Sequence, residues 1–509
     1  MKSLLVITSL LIGFSLSAQT LKFKVNGMPD TTVFLVKYYG KGMYYADTAV
    51  LKNGRCQFDG TKQKPGVLAL LMPGQKYFDV IYTGEDVDIE TSGPDYAQNL
   101  IVKKSEENKI FAKYVKYLGD QRKVANEIGE KRKKEKQDSE AYKKLGEEMD
   151  AVSKKVKAYQ KEVVEKNKGT FVSKLVNMSM EIEIPDSPRD SEGKIIDSNF
   201  AYKYYRDHYF DHVDFTDDRV INTPIFHNKL DYFFSRKMLV QIPDTIVKYA
   251  FRLCDPLDQK SEMFKYCVTY ITSTFEKSTM LNMDKVFQRM GERYYCSKNA
   301  EGKSPAYWMD DEKLKELCEK TVTLKRLVEG AIPPNVQLRD TTDKHWKDYY
   351  SLKSDYTILY FWDPDCGHCK SATPKLEKLY TEKLKARNVE VFAIAKAVGD
   401  DEFKRWKKFI KDKKLSFINV GLTDKLYNEA KENPLKFVPK YTSLESLNYQ
   451  ETFDIFSTPK VFLLDKDKKI VAKQLSISQL EDFLDHLQKV DAPKIIPADK
   501  EDEEKKVAH

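Results

Sequence analysis

Two cysteines, Cys366 and Cys369, stand two residues apart in "YFWDPDCGHCKSATP", where an apolar aromatic run gives way to a helix-compatible stretch. This feature narrows the fold more than any other, because the strand–turn–helix it predicts seats a thiol at a helix start. "YTILYFW" reads as a buried strand, "DPD" as a turn and "CGHCKSATPKLEKLY" as the opening of a helix. Cys366 then falls where unpaired backbone N–H groups and the helix dipole favour a thiolate. Cys369 follows one turn later on the same face, within reach for an internal disulfide. Gly367 is expected to let the chain turn tightly, and His368 to add positive charge beside the thiolate. A stabilised thiolate stabilises the reduced pair and makes it a stronger oxidant.

A CxxC is also half of a tetrahedral zinc site, but that site needs two further ligands at suitable spacing. None lies nearby, and no second CxxC or HxxxH occurs in this part of the chain, so neither a metal nor another cofactor is expected. His208 and His212 are four apart in "RDHYFDHVDF", and on a helix they would share a face. Tyr209 stands where a zinc protease needs glutamate, so packing and hydrogen-bonding roles near a helix end are expected for both. A structural role is expected for His227. The remaining cysteines, Cys56, Cys254, Cys267, Cys296 and Cys318, are widely spaced. One or two disulfides or buried thiols are expected among them, and their odd number leaves at least one without an intramolecular partner.

A chain of 509 residues exceeds what one core serves. Residues 19–103 read as a small antiparallel β domain of sandwich type, with Asn53-Gly54 in "TAVLKNGRCQF" as a hairpin turn. Residues 104–168 are Lys/Glu-rich and carry Leu145, Met149, Val152, Val156, Tyr159 and Val163 at steps of four and three, which predicts a helical hairpin with a turn at "EKRKKEKQDSE". Residues 169–330 read as an all-α domain, and "EGAIPPNVQLRDTTD" as a joint. From 331 to 491 strand and helix patterns alternate, which predicts an α/β domain with a mixed sheet. Residues 492–509 are charged and expected to be disordered.

"FSTPKVFLLD" places Thr458-Pro459 directly before a strand. Together with the W-x-x-x-C-x-x-C helix start, this resembles the thioredoxin superfamily, in which a cis-proline loop at this point lies against the CxxC. "VQLRDTT" and the insertion between the CxxC helix and that proline look most like the exported TlpA/ResA-type thiol–disulfide oxidoreductases, over residues 332–490. The CGHC spacing is that of protein disulfide isomerase-type sites. The resemblance implies that Cys366 is the nucleophile and Cys369 the resolving thiol. It implies that Thr458 and Pro459 dock the substrate backbone and that Trp362 flanks and shields the pair. Two departures matter: Tyr360 stands where thioredoxin has a buried Asp, and Ala372 where ResA-like proteins have Glu. Asp363, Asp365 and water are then the candidates for accepting the proton of Cys369. "TAVLKNGRCQFDG" and "VDFTDDRVINTPIFHNKLDYFF" resemble, respectively, the β-rich and helical domains of unknown function that precede a thioredoxin-like domain in exported proteins of some Gram-negative bacteria.

Residues 1–18, with Lys2 ahead of an apolar run ending in small residues at Ala18, read as a signal peptide. No later stretch is long and apolar enough to span a bilayer, so an exported protein of the periplasm or cell envelope is expected, where disulfides persist. The 86 basic and 78 acidic residues interleave, which speaks against a nucleic-acid partner. Protein thiols and disulfides are the expected substrates, with a membrane or periplasmic electron donor. A peroxidase would need a Thr-x-x-Cys setting that is lacking. The rival reading is a non-enzymatic envelope binding or assembly protein that retains a thioredoxin-like module.

Overall fold

The structure, a computed structural model, describes residues 19–235, 238–278, 280–299 and 301–498. The expected signal peptide lies outside the described residues. The described residues up to 241, with 261–266, form one compact unit, and those of 242–260 with those from 267 onward form the other.

In the first unit, eight strands make two four-stranded sheets. They are β1 (Thr20–Asn26), β2 (Thr31–Tyr39), β3 (Gly42–Leu51), β4 (Arg55–Asp59), β5 (Gly66–Met72), β6 (Lys76–Tyr82), β7 (Val87–Ser92) and β8 (Ile101–Lys104). The sheet orders are β4-β1-β7-β8 and β3-β2-β5-β6. Alternate residues such as Leu21, Phe23 and Val25 of β1 and Val33 and Leu35 of β2 point into one shared core, as the period of two requires. The sheets differ from a purely antiparallel pair in one place, since β1 and β7 run parallel. Asn53 and Gly54 both take positive φ, 50° and 71°, and Lys52 and Arg55 exchange backbone hydrogen bonds across them. The expected turn therefore forms, but its arms lead into different sheets, which makes it a corner of the sandwich.

The helical hairpin is α1 (Glu106–Arg132) and α2 (Glu140–Lys166), capped by the hydroxyls of Ser105 and Ser139. Asn108 ties α1 to the sandwich: its side-chain amide accepts from the N–H of Ile81 and donates to the same residue's carbonyl, 2.9 and 2.6 Å, as a neighbouring strand would. Then come α3 (Phe171–Ser179), α4 (Phe200–His208) and α5 (Pro224–Phe234).

The second unit contains α6 (Pro243–Cys254), most of α7 (Glu262–Glu276), α8 (Asp284–Tyr294) and α9 (Asp311–Lys325). Of the middle cysteines, Cys296 and Cys318 form a disulfide, whereas Cys254 and Cys267 are buried in the helical core. Its α/β domain follows as β9 (Gln337–Asp340), β10 (Trp346–Asp348), β11 (Tyr356–Trp362), α10 (Gly367–Leu379), β12 (Val389–Ala397), α11 (Asp400–Lys413), β13 (Ile418–Thr423), α12 (Asp424–Glu432), α13 (Leu444–Leu447), α14 (Tyr449–Thr452), β14 (Lys460–Asp465), β15 (Ile470–Lys473) and α15 (Ile477–Gln488).

Its seven strands order as β10-β9-β13-β12-β11-β14-β15, with β11, β12 and β13 parallel and the other pairings antiparallel. Along β11 the side chains divide by parity. Ile358, Tyr360 and Trp362 enter one core beneath α10, α11 and α15, while Leu359 and Phe361 enter the other, covered by α12 and α14. Both faces of the central strand are buried, which is why "YTILYFW" has no polar alternation.

Part of the segment expected to be disordered is tied to the domain. The N–H groups of Ile495 and Ile496 donate to the Glu481 carboxylate at 2.9 and 2.8 Å, and Lys383 also pairs with that carboxylate. The fully buried Glu481 thus holds residues 495–496 of the segment read as disordered against α15.

Candidate active site

β11 ends in Trp362, the chain turns over Asp363-Pro364-Asp365, and α10 starts with Cys366 as its N-cap. The turn closes on itself, since the Asp363 carboxylate accepts from the N–H of Asp365 at 2.8 Å. Cys366 is partly exposed and Cys369, one turn on, is fully buried. The Thr458–Pro459 peptide is cis, and the Thr458 carbonyl accepts from the Cys366 thiol at 3.3 Å. A loop 92 residues downstream therefore meets the cysteine at the helix start.

The two thiols have opposite acid strengths. Partial burial works against a Cys366 thiolate. It is outweighed by hydrogen bonds from the backbone N–H groups of Cys369 and His368 and from the side chains of Thr458 and Cys369, which bring the thiol down to about 7. Burial pushes Cys369 up to about 12, only partly relieved by the backbone N–H of Asp363, 3.5 Å from its sulfur. One sulfur ionises near neutral pH and the other is held as a thiol.

The neighbouring residues differ in part from their expected roles. Gly367 lies outside the left-handed region, and a Cβ added there would meet nothing within 4 Å. Helical φ/ψ at N1 suits any residue, so the tight turn does not draw on glycine's freedom. His368 is exposed and reaches the Cys366 sulfur through its backbone N–H. Trp362 is 1% exposed and packs on Phe409, ring centroids 5.3 Å apart, in the core that also holds Cys369. The residue expected to flank and shield the pair thus shares its buried core.

Tyr360 fills the position of the missing carboxylate, and its hydroxyl is bonded to that of Thr373 at 2.8 Å. Asp365 is also committed: both of its oxygens accept from Arg405 of α11, at 2.8 to 3.0 Å. The sequence reading missed Arg405, and a partner 40 residues away leaves no local spacing signal. The other singled-out histidines lie in the first unit. His208 ends α4 with Nδ1 2.6 Å from the Asp211 carboxylate, and His212 lies beyond the helix with Nδ1 3.4 Å from the Met180 carbonyl. The two rings share no helix face. His227 Nδ1 is 2.9 Å from the Tyr266 hydroxyl.

Residues 330–473 match the AhpC/TSA family, and residues 20–111 match a domain of unknown function, DUF4369. A domain of a possible thiol-disulfide isomerase from Cytophaga hutchinsonii is 34% identical, over 32% of this chain and 94% of that one, with a TM-score of 0.25. The C-terminal domain is an AhpC/TSA-family domain with a thioredoxin-like fold. The thioredoxin-like domain is also similar to the thioredoxin domain of a thiol-disulfide oxidoreductase from Bacteroides vulgatus, at 21% identity over 31% of this chain and 97% of that one, TM-score 0.25. A longer likeness is to a thioredoxin-like protein from Bacteroides caccae, 17% identical over 60% of this chain and 98% of that one, TM-score 0.41. No curated protein matches the chain.

Proposed function

We propose that this protein is an exported thiol–disulfide oxidoreductase of the Gram-negative cell envelope, acting on protein thiols and disulfides through its Cys-Gly-His-Cys pair. The observation that carries this reading is the Cys366 sulfur, acidified to about 7 at a helix N-terminus and facing the Thr458 carbonyl of the cis-proline loop at 3.3 Å. Export rests on the apolar N-terminal run of the sequence. In addition, no helix among the described residues is long and apolar enough to cross a membrane.

In the reducing direction the Cys366 thiolate attacks one sulfur of a client disulfide. That S–S bond breaks, a mixed disulfide forms, and the departing client sulfur takes up a proton. Cys369 then loses its proton and attacks the Cys366 sulfur, forming the internal disulfide and releasing the second client sulfur as a thiol. Two electrons and two protons pass to the client, and a dithiol reductant must restore the pair. In reverse, the same steps oxidise a client dithiol. Burial keeps Cys369 neutral until the mixed disulfide sits above it, which favours attack by Cys366 first. Thr458 and Pro459 offer backbone to the client, and Trp362 closes the floor of the site.

The test is reduction of insulin by the full chain with dithiothreitol as recycling dithiol. Cys366→Ala is expected to abolish turnover, and Cys369→Ala to accumulate a mixed disulfide with the client. Undiminished turnover in both variants would exclude the mechanism.

A further inference from the structure

Three phenylalanines bracket the cis-proline loop, and they have different environments. Phe453 and Phe462 are fully buried and pack on Phe361, with ring centroids 4.9 and 5.8 Å away. Phe456, between them, is 89% exposed. A large aromatic ring left in water forgoes the burial that usually decides its position. The loop that carries it is anchored. Lys460, directly after Pro459, sends its ammonium to the carbonyl oxygens of Phe453, at 3.3 Å, and Asp454, and lies 3.5 Å from the Asp454 carboxylate. The N–H of Ile455 donates to the Gln450 carbonyl at 2.7 Å, and Asp454 takes a left-handed φ of 53°. The loop is therefore pinned at both ends with Phe456 held outward, two residues from the Thr458 carbonyl that meets Cys366.

We infer that Phe456 is a specificity residue that selects polypeptide clients carrying an apolar side chain close to their reactive cysteine. This deepens the redox reading above and rests on it. A client sulfur that reaches Cys366 must bring its chain past Thr458 and Pro459. An extended chain advances about 3.3–3.6 Å per residue, so a side chain two residues from the client cysteine arrives beside Phe456. Burying both apolar surfaces against each other favours unfolded or exposed apolar segments. A small disulfide such as cystine has no group to place there. The anchored loop lowers the entropy lost on contact, because Phe456 is presented before the client arrives.

The full chain, recycled by dithiothreitol, would be given two disulfide-linked peptides that differ only in Leu or Ser two residues from the cysteine. The wild-type protein is expected to favour the Leu peptide in kcat/KM by about tenfold, the scale of an apolar side-chain contact. Phe456→Ser should bring that ratio close to one, and Phe456→Leu should restore most of it. Equal rates for both peptides with the wild-type protein, or an equal loss on both in Phe456→Ser, would overturn the inference while leaving the redox reading intact. Turnover of neither peptide nor insulin by the wild-type protein would remove both.

Discussion

Arg405 of α11 grips Asp365, the residue immediately before Cys366, with Nε 3.0 Å from both carboxylate oxygens and Nη2 2.8 Å from one. An unpaired carboxylate beside a thiolate would repel it, so the guanidinium protects the acidity of Cys366. The pair is about half exposed, and solvent screening keeps the effect small. Arg405→Gln is expected to raise the Cys366 pKa by less than about one unit, as typical of an exposed pair. The pH profile of iodoacetamide alkylation reads this directly; an unchanged or lowered midpoint would refute the coupling.

The same profile in the unaltered protein tests the site itself. Alkylation of Cys366 should rise with pH through a midpoint of about 7, while Cys369, held at about 12, stays unmodified at neutral pH. The stability of the reduced form follows the same sign. A free thiol in the unfolded chain ionises at about 8.5, above folded Cys366. The contribution of Cys366 therefore grows as pH climbs from 7 toward that value and is lost as pH falls through 7. Raised Cys369 acts oppositely only above the unfolded value, up to about 12. Chemical denaturation of the reduced and disulfide forms across this window would show the trend in the reduced form alone.

Tyr360 gives a stability prediction without a redox consequence. Tyr360→Phe leaves the buried Thr373 hydroxyl without its 2.8 Å partner. A cost of about 1–3 kcal/mol is expected in urea unfolding. The reduction potential should stay within experimental error, because a phenol bonded to threonine takes no part in the proton balance of the dithiol.

Glu481 holds the C-terminal segment. It accepts from Lys383 and from the N–H groups of Ile495 and Ile496, and it is fully buried. Glu481→Ala would strand the Lys383 ammonium, which keeps only Asp485 at 3.3 Å. A loss of about 3 kcal/mol is expected, together with proteolytic release of the chain after α15. A variant as resistant to protease as the parent would show that the segment is held by other contacts.

Cysteine bookkeeping is checked by mass. Alkylation in denaturant without reductant, starting from the dithiol form, should label five of the seven cysteines and spare Cys296 and Cys318. Seven labels would show that this disulfide does not form.

The legible parts of the fold were those with local periodicity. The seven-residue step pattern from Leu145 to Val163 appears as α2, and the apolar run before the CxxC as β11, because short-range spacing sets which face of an element meets a core. The strand–turn–helix around Cys366 was readable for the same reason, as was Thr458-Pro459 before β14. The corner at Asn53-Gly54 shows the limit: the dipeptide specifies the turn, but which sheet each arm joins depends on partners far away in the chain.

From sequence alone, two sulfur atoms were set one helical turn apart at the end of a buried strand, since peptide geometry over ten residues leaves little else. Tertiary packing decided how those sulfurs behave and what surrounds them. The acidity of Cys366, the burial of Cys369, the Asp365–Arg405 pair and the Cys296–Cys318 bond all depend on segments distant in sequence. Their energies come from desolvation and from contacts that exist only once the chain has closed on itself.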